Sequence, residues 1–328
     1  MWRSLWRGRG FIEMNNHGKV RRLVINGDDF GYCPERNRGI VECFRKKAIT
    51  SASLMINAVY MNDAVVLAKK YSLPLGLHLN LTEGLPVSQE LINKESSSLL
   101  TSDGYFHGKY GFRESLKKGL IDVEEVRMEI RAQILRFRDV VGEMPLYVDG
   151  HQHCHVLSGI RNVFAEVLQE CGIGMTRLPI EFGLEKCVWL DKAAMAFFKG
   201  IEEDAKIAKE VLLAHGASHG YIGLSTMGSN MSVEHIQSAL LTSIKTAEAT
   251  SAPGSTLTFE LMTHPGYPAS KNIGGCGQGP DEFACSKDRV HEMDVLKTPK
   301  LKQFFSENNV RLCTFRELVE DIWEQMKM

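Results

Sequence analysis

From Arg21 onward, short apolar runs alternate with longer stretches whose apolar residues recur at helical spacing, a pattern of strands followed by helices. Leu23-Val24-Ile25 reads as a strand ending in Asp28-Asp29, and Pro34 opens a helix bearing Ile40, Val41 and Phe44 that closes near Lys47. The unit recurs at 50–56 with 61–71, and again at 75–81, where Leu77-His78-Leu79 alternates as a half-buried strand does. Asp122 followed by Glu125 predicts a capping box for a long helix carrying Val126, Ile130, Ile134, Leu135 and Phe137 and stopped by Gly142. Further strands are expected at 146–148, 175–178, 221–224, 256–261 and 310–313.

About eight such strands, most separated by helices, imply an α/β fold with a parallel sheet. Over one domain the economical closure is an irregular (β/α) barrel, and an open doubly wound sheet is the runner-up. Segments 83–119 and 180–220 break the repeat and are expected as loop and helical insertions covering the active-site face. No composition shift marks a second domain, so residues 20–328 are expected as one domain behind a flexible tail at 1–19. That tail carries Arg3, Arg7 and Arg9 before its first acid at Glu13, a faint echo of a targeting peptide, and Met14 offers an alternative start.

Composition narrows the classes. With 44% hydrophobic and 24% charged residues in 328, disorder and small disulfide scaffolds are excluded. A net charge of -1 supplies no bulk field toward nucleic acid or an anionic membrane. The eight cysteines include no CxxC pair and no secretory signal is read before them, so reduced thiols and a cytoplasmic location are expected and zinc-finger chemistry is not. No apolar run approaches the roughly 18 residues that span a bilayer.

In a parallel barrel the strand C-termini share the ligand-binding face, and here they deliver groups that titrate or bind metal. Asp28-Asp29, Asn57, His78, the run Asp149-Gly150-His151-Gln152-His153-Cys154-His155, Arg177 and His264 all fall at such ends. His151, His153 and His155 would share one side if extended, whereas a turn after Gly150 would redirect them. The chemistry that fits is a divalent ion held by one carboxylate and two imidazoles with open positions for water and substrate. Of two adjacent aspartates, one can then bind the ion while the other serves as general base, a division suited to hydrolysis of an amide or ester.

At these residues the chain resembles the YdjC-like carbohydrate deacetylases, a family that includes chitooligosaccharide deacetylases. The resemblance runs through VINGDDFGYC (24–33), TSASLMIN (50–57), GLHLNLTEGLP (76–86), the HQHCHV run, TRLP (176–179) and LMTHPGYP (261–268), and GGCGQGPDEFACS (274–286) is an animal-type feature. It implies a barrel-like deacetylase fold, magnesium dependence, a homodimer in some members, and release of acetate from N-acetylated sugars such as chitooligosaccharides. By motif, Asp28 would be the proton acceptor, Asp29, His78 and His151 the metal ligands, and His264 the acid that protonates the leaving amine. Arg177 would orient Asp28 or contact substrate. Phe30, Tyr32, Tyr105, Phe106, Trp189 and Tyr267 are candidates for a sugar platform. The imidazole donors pull toward zinc or another transition metal rather than magnesium.

Three rivals stand beside this reading: a glycoside hydrolase, which needs two carboxylates flanking the bond, a hydrolase of another amide, and a carbohydrate-binding protein derived from the enzyme. The glycine-rich 274–279 matches no phosphate-binding fingerprint and is expected as a loop beside the site.

Overall fold

The computed structural model describes residues 20–212, 215–252 and 255–326, and the expected tail at 1–19 lies outside them. Its sheet holds β1 (Arg21–Phe30), β2 (Ser51–Leu54), β3 (Leu75–Leu79), β4 (Tyr147–Gly150), β5 (Met175–Thr176), β6 (Gly220–Ile222), β7 (Leu257–Thr263) and β8 (Val310–Leu312). The order is β5-β4-β3-β2-β1-β7-β6, all pairs parallel. The chain reaches β6 before β7 and so comes round to β1 from the far side, which is the winding of a barrel and not of a doubly wound sheet.

The barrel is irregular. Between β5 and β6 the described residues make one bridge, with the Thr176 N–H donating to Gly216 at 2.9 Å and the Gly216 N–H to Gly174 at 2.7 Å. β8 pairs Arg21–Leu23 on the edge of β1 that β2 takes from Asn26 onward.

Side chains alternate across this sheet as the strand period requires. Leu23, Ile25, Leu77, Leu79, Phe259 and Leu261 face the surrounding helices in one continuous apolar core. Their neighbours point into the barrel, whose N-terminal end is plugged by Val24, Tyr147, Met175, Phe315 and Leu318, with Tyr147 stacked on Phe315 at 3.6 Å. Gly76 has no side chain because a Cβ there would lie 2.8 Å from the Tyr147 ring. Above the plug the interior turns polar.

Helix Pro34–Arg45 begins on a Cys33 cap with proline in its first turn, and helix Val123–Val141 ends on Gly142 at φ 103°. The expected capping box forms only by half. Asp122 does accept the Glu124 N–H, but its own N–H goes to Ser98 Oγ at 2.8 Å, and Glu125 instead accepts from Ser97, Ser98 and Lys94. The insertion at 83–119 is polar and lies close enough to divert both groups. The two insertions contribute helices Gly108–Lys117 and Lys192–Val211, which reach the C-terminal face of the barrel.

Candidate active site

Backbone conformation separates the two adjacent aspartates. Asp29 sits at φ 62°, where β1 and β2 lose register, so Asp28 continues into the barrel while Asp29 turns toward the opening. After β4 the chain turns as well, with Gln152 at φ 53° and His153 at φ 57°. The three histidines of that run consequently diverge: His151 meets Asp29, His153 abuts Tyr221, and His155 Nε2 donates to the Arg177 carbonyl at 2.9 Å.

Three donor atoms converge at the mouth of the barrel. Asp29 Oδ1 lies 3.0 Å from His151 Nδ1 and 3.2 Å from His78 Nε2, and the two ring nitrogens are 3.3 Å apart. Each ring is oriented from behind. His78 Nδ1 meets Asp149 Oδ1 at 2.7 Å, and His151 Nε2 lies 3.4 Å from Glu83 Oε1. Burial would raise the pKa of Asp149, but Arg177 and His78 hold it at about 2, so it is an ionised acceptor that keeps a proton on Nδ1 and turns Nε2 toward Asp29.

The surrounding carboxylates favour positive charge at this point. Burial opposes charge on His78, yet Asp149 and Asp28 lift it to about 9. Burial is outweighed at His151 too, where Glu83 and Asp29 push it well above the usual histidine value. Asp29 is driven the other way: hydrogen bonds from both imidazoles overcome its burial and hold it well below the usual carboxylate range. A field that favours a proton on each ring equally favours a divalent cation between them.

Asp28 lies behind this cluster, bound at both oxygens by the Arg177 guanidinium at 2.6 and 2.8 Å and at Oδ1 by Asn26 at 2.7 Å. Burial raises its pKa despite Arg177. The same guanidinium meets Asp149 at 2.8 Å and Glu260 at 2.7 Å, so one cation holds three carboxylates. Arg177 is fully buried, lies outside the pocket lining and is paired with Asp28.

His264 follows the last residue of β7 and faces the pocket with Nδ1 unpaired. Burial depresses its pKa to about 3, leaving the ring neutral at pH 7. Asp28, Asp29, His78, His151, His153 and His264 thus line one pocket, walled by Lys109, Phe197, Phe198, Met227, Asp281 and Phe283.

The expected aromatic platform does not form. Phe30, Tyr32 and Phe106 are packed in the core, the Trp189 indole stacks on His235, the Tyr267 hydroxyl binds Glu42, and neither Trp189, Tyr267 nor Tyr105 lines the pocket. Residues beside the motifs are committed to packing, and the aromatics that face the opening come from helix Lys192–Val211 and the short helix Glu282–Cys285. Asn57 braces the carbonyls of Glu83 and Leu85, so it supports the site without entering it. The glycine-rich loop does lie beside the site, tied down by the Gly275 N–H to Tyr32 and the Val59 N–H to Gly275. All eight cysteines are free.

The sequence pattern assigns Asp149 no role and does not mark Glu83, Glu260, Arg289 or Glu292 as part of the site. A usable signal existed for Glu260, a lone acid inside the apolar run Leu257–Thr263.

A family model described as YdjC-like protein matches residues 22–307. The chain is 49% identical over 303 residues to a carbohydrate deacetylase of Xenopus laevis, spanning 90% of this chain and 98% of that one. To the human carbohydrate deacetylase it is 46% identical over 299 residues, covering 90% and 91% of the two chains. A chitooligosaccharide deacetylase of Proteus mirabilis is 29% identical over 300 residues, covering 90% and 98%. Among solved structures, a putative cellobiose-phosphate cleavage protein of Enterococcus faecalis V583 superposes with a TM-score of 0.64 at 21% identity, over 91% of this chain and 99% of that one, a likeness of fold.

Proposed function

The chain belongs to the YdjC-like family, and from that premise we propose that it is a metal-dependent deacetylase, hydrolysing the acetamide of an N-acetylated carbohydrate to acetate and a free amine. The observation that carries this reading is the convergence of Asp29, His78 and His151 on one point beside Asp28 and His264. The names of the relatives support the sugar class.

Ligand atoms about 2.0–2.2 Å from a shared ion sit about 3.0–3.5 Å from one another. The separations of 3.0, 3.2 and 3.3 Å match, so Asp29, His78 and His151 are suited to hold a divalent cation. When bound, such an ion polarises the acetyl oxygen and acidifies water. Two imidazoles and a carboxylate rank zinc, cobalt and nickel above magnesium, against what the family resemblance implies, and elemental analysis of the purified protein decides between them.

The chain's own groups carry the protons. Asp28 accepts one from the attacking water: burial strengthens it as a base, and Arg177 fixes both of its oxygens. That proton must reach the amide nitrogen before the C–N bond breaks. His264, neutral at the outset, delivers it after receiving it during turnover, which returns both groups to their starting states. The low proton affinity of His264 favours a second reading of the same side chain, in which the neutral imidazole N–H hydrogen-bonds the acetyl oxygen and Asp28 itself returns the proton.

Acetate release from N-acetylated mono- and oligosaccharides, measured before and after chelation, tests the proposal. Loss on chelation and recovery with a divalent ion are expected, and full turnover by protein verified as metal-free would defeat it. His264→Ala separates the two readings of that residue. A loss on amides that spares activated aryl esters identifies the acid, since a good leaving group needs no proton, and equal loss on both identifies the hydrogen-bond donor.

A further inference from the structure

His264 leaves β7 at a point where its backbone N–H and carbonyl have no partner in the sheet, and charged side chains from outside the barrel take that part. Helix Asp288–Leu296 sets Arg289 and Glu292 one turn apart. Glu292 Oε2 accepts the His264 backbone N–H at 2.5 Å, and Arg289 Nη1 donates to the His264 carbonyl oxygen at 3.0 Å. Arg36 Nη1 donates to the same oxygen. Arg289 and Glu292 pair with each other at 3.1 Å and are both 0% exposed.

The pair also reaches the ring and the opposite wall. The Arg289 guanidinium lies 3.4 Å from the centroid of Phe283, whose ring meets the His264 imidazole edge-on at 5.3 Å. Glu292 Oε1 accepts the Gly228 N–H at 2.7 Å, next to Met227 of the pocket lining.

A dehydrated Arg–Glu pair returns little more stability than well-packed apolar residues would, so stability is a poor account of this one. What it supplies is geometry. With the His264 N–H and carbonyl, which belong to the two successive peptide planes flanking its Cα, both held by charge-assisted bonds, neither plane can rotate without leaving a buried charge unpaired. The imidazole has no hydrogen bond of its own at Nδ1, so its aim follows from the backbone below it and from Phe283 beside it.

We propose that Arg289 and Glu292 are positioning residues of the deacetylase site, acting through His264. The inference rests on His264 being a reacting group and holds for either reading of its role.

The test is a double-mutant cycle in the full-length, metal-loaded protein. Arg289→Lys and Glu292→Gln are made singly and in the His264→Ala background, with kcat, KM, metal content and melting temperature recorded. Each single change is expected to lower kcat by about 10- to 100-fold, with KM within about threefold and metal content unchanged. In the His264→Ala background the same change should cost less than about twofold, because the group it acts through is already gone. An undiminished loss in that background, or no loss in the parent, overturns the positioning role. Should Arg289→Lys fail to fold, the near-isosteric Glu292→Gln carries the cycle. Failure of the underlying reading looks different: His264→Ala alone would leave kcat unchanged.

Discussion

The two faces of the sheet obey opposite chemistry. Outward, Leu77, Leu79, Phe259 and Leu261 pack against helices in an apolar core. Inward, from the residues between them, His78 and Glu260 join Asp28, Asp149 and Arg177 in a buried charged network. Burial of apolar area on the first face favours folding, whereas dehydrating charges on the second works against it. One face therefore maintains the barrel and the other uses part of that stability to hold a base, a donor set and an imidazole in fixed relation.

The sharpest separation comes from Asp28→Asn on the inner face. It keeps size and hydrogen-bonding capacity while removing basicity, so turnover should fall by about 10² to 10⁴, about 3–5.5 kcal/mol of transition-state energy, with metal content retained. Asp29→Asn should instead lose metal and recover partly in excess ion. Metal titration of both variants against activity checks this, and exchanged behaviour would exchange the two roles.

An outer-face change should do the converse. Leu261→Ala removes a fully buried side chain and leaves a cavity, so unfolding free energy should drop by about 2–5 kcal/mol. The kcat of the folded, metal-loaded fraction should stay within about twofold. A turnover loss as large as that of Asp28→Asn would mean that the two faces are not separable. Urea denaturation alongside kinetics gives both quantities.

A third effect exposes the inner face's cost as pH dependence. Burial raises Glu260 from 4.5 to about 7 against the pull of Arg177. A carboxyl whose folded pKa is raised binds more protons when folded. Its contribution is fully present below 4.5 and is lost as pH rises through 7, up to about 3 kcal/mol in all. Glu260→Gln keeps an acceptor for the Tyr147 hydroxyl, which donates to Glu260 at 2.8 Å, and should flatten that slope. Above pH 7 the variant should be more stable than the parent; an unchanged slope would assign the dependence to other groups.

The same two faces explain how far the sequence was legible. Outward positions announce themselves by period, which is why the eight strands and the barrel could be read within a few residues. Asp28, Asp29, His78, His151 and His264 stood out because titratable residues at strand ends are conspicuous, and they do share one pocket. Glu260 and the Arg289–Glu292 pair escaped because their partners lie 83 and 25–28 residues away in sequence, and nothing local marks such a charge as buried. The diverging histidines needed the left-handed conformations at Gln152 and His153, and the half-formed capping box needed Ser98 nearby, both decided by tertiary contacts.

The pocket wall belongs to neither face and should give the smallest effect. Phe197 is half-buried on helix Lys192–Val211, lines the pocket, and lies under the Lys109 ammonium at 4.1 Å. Its ring meets Phe198, Lys109 and Arg113 and has no group that could move a proton, so whatever it gives to substrate it gives equally to the transition state. Phe197→Ala should raise KM by about 3- to 10-fold, in keeping with about 0.5–1.5 kcal/mol for an aromatic contact, and leave kcat within about twofold. Steady-state kinetics on an N-acetylated oligosaccharide and on a monosaccharide complete the measurement. A fall in kcat at unchanged KM would show that the wall shapes the reacting geometry, and the division between a positioning interior and a binding rim would have to be redrawn at this helix.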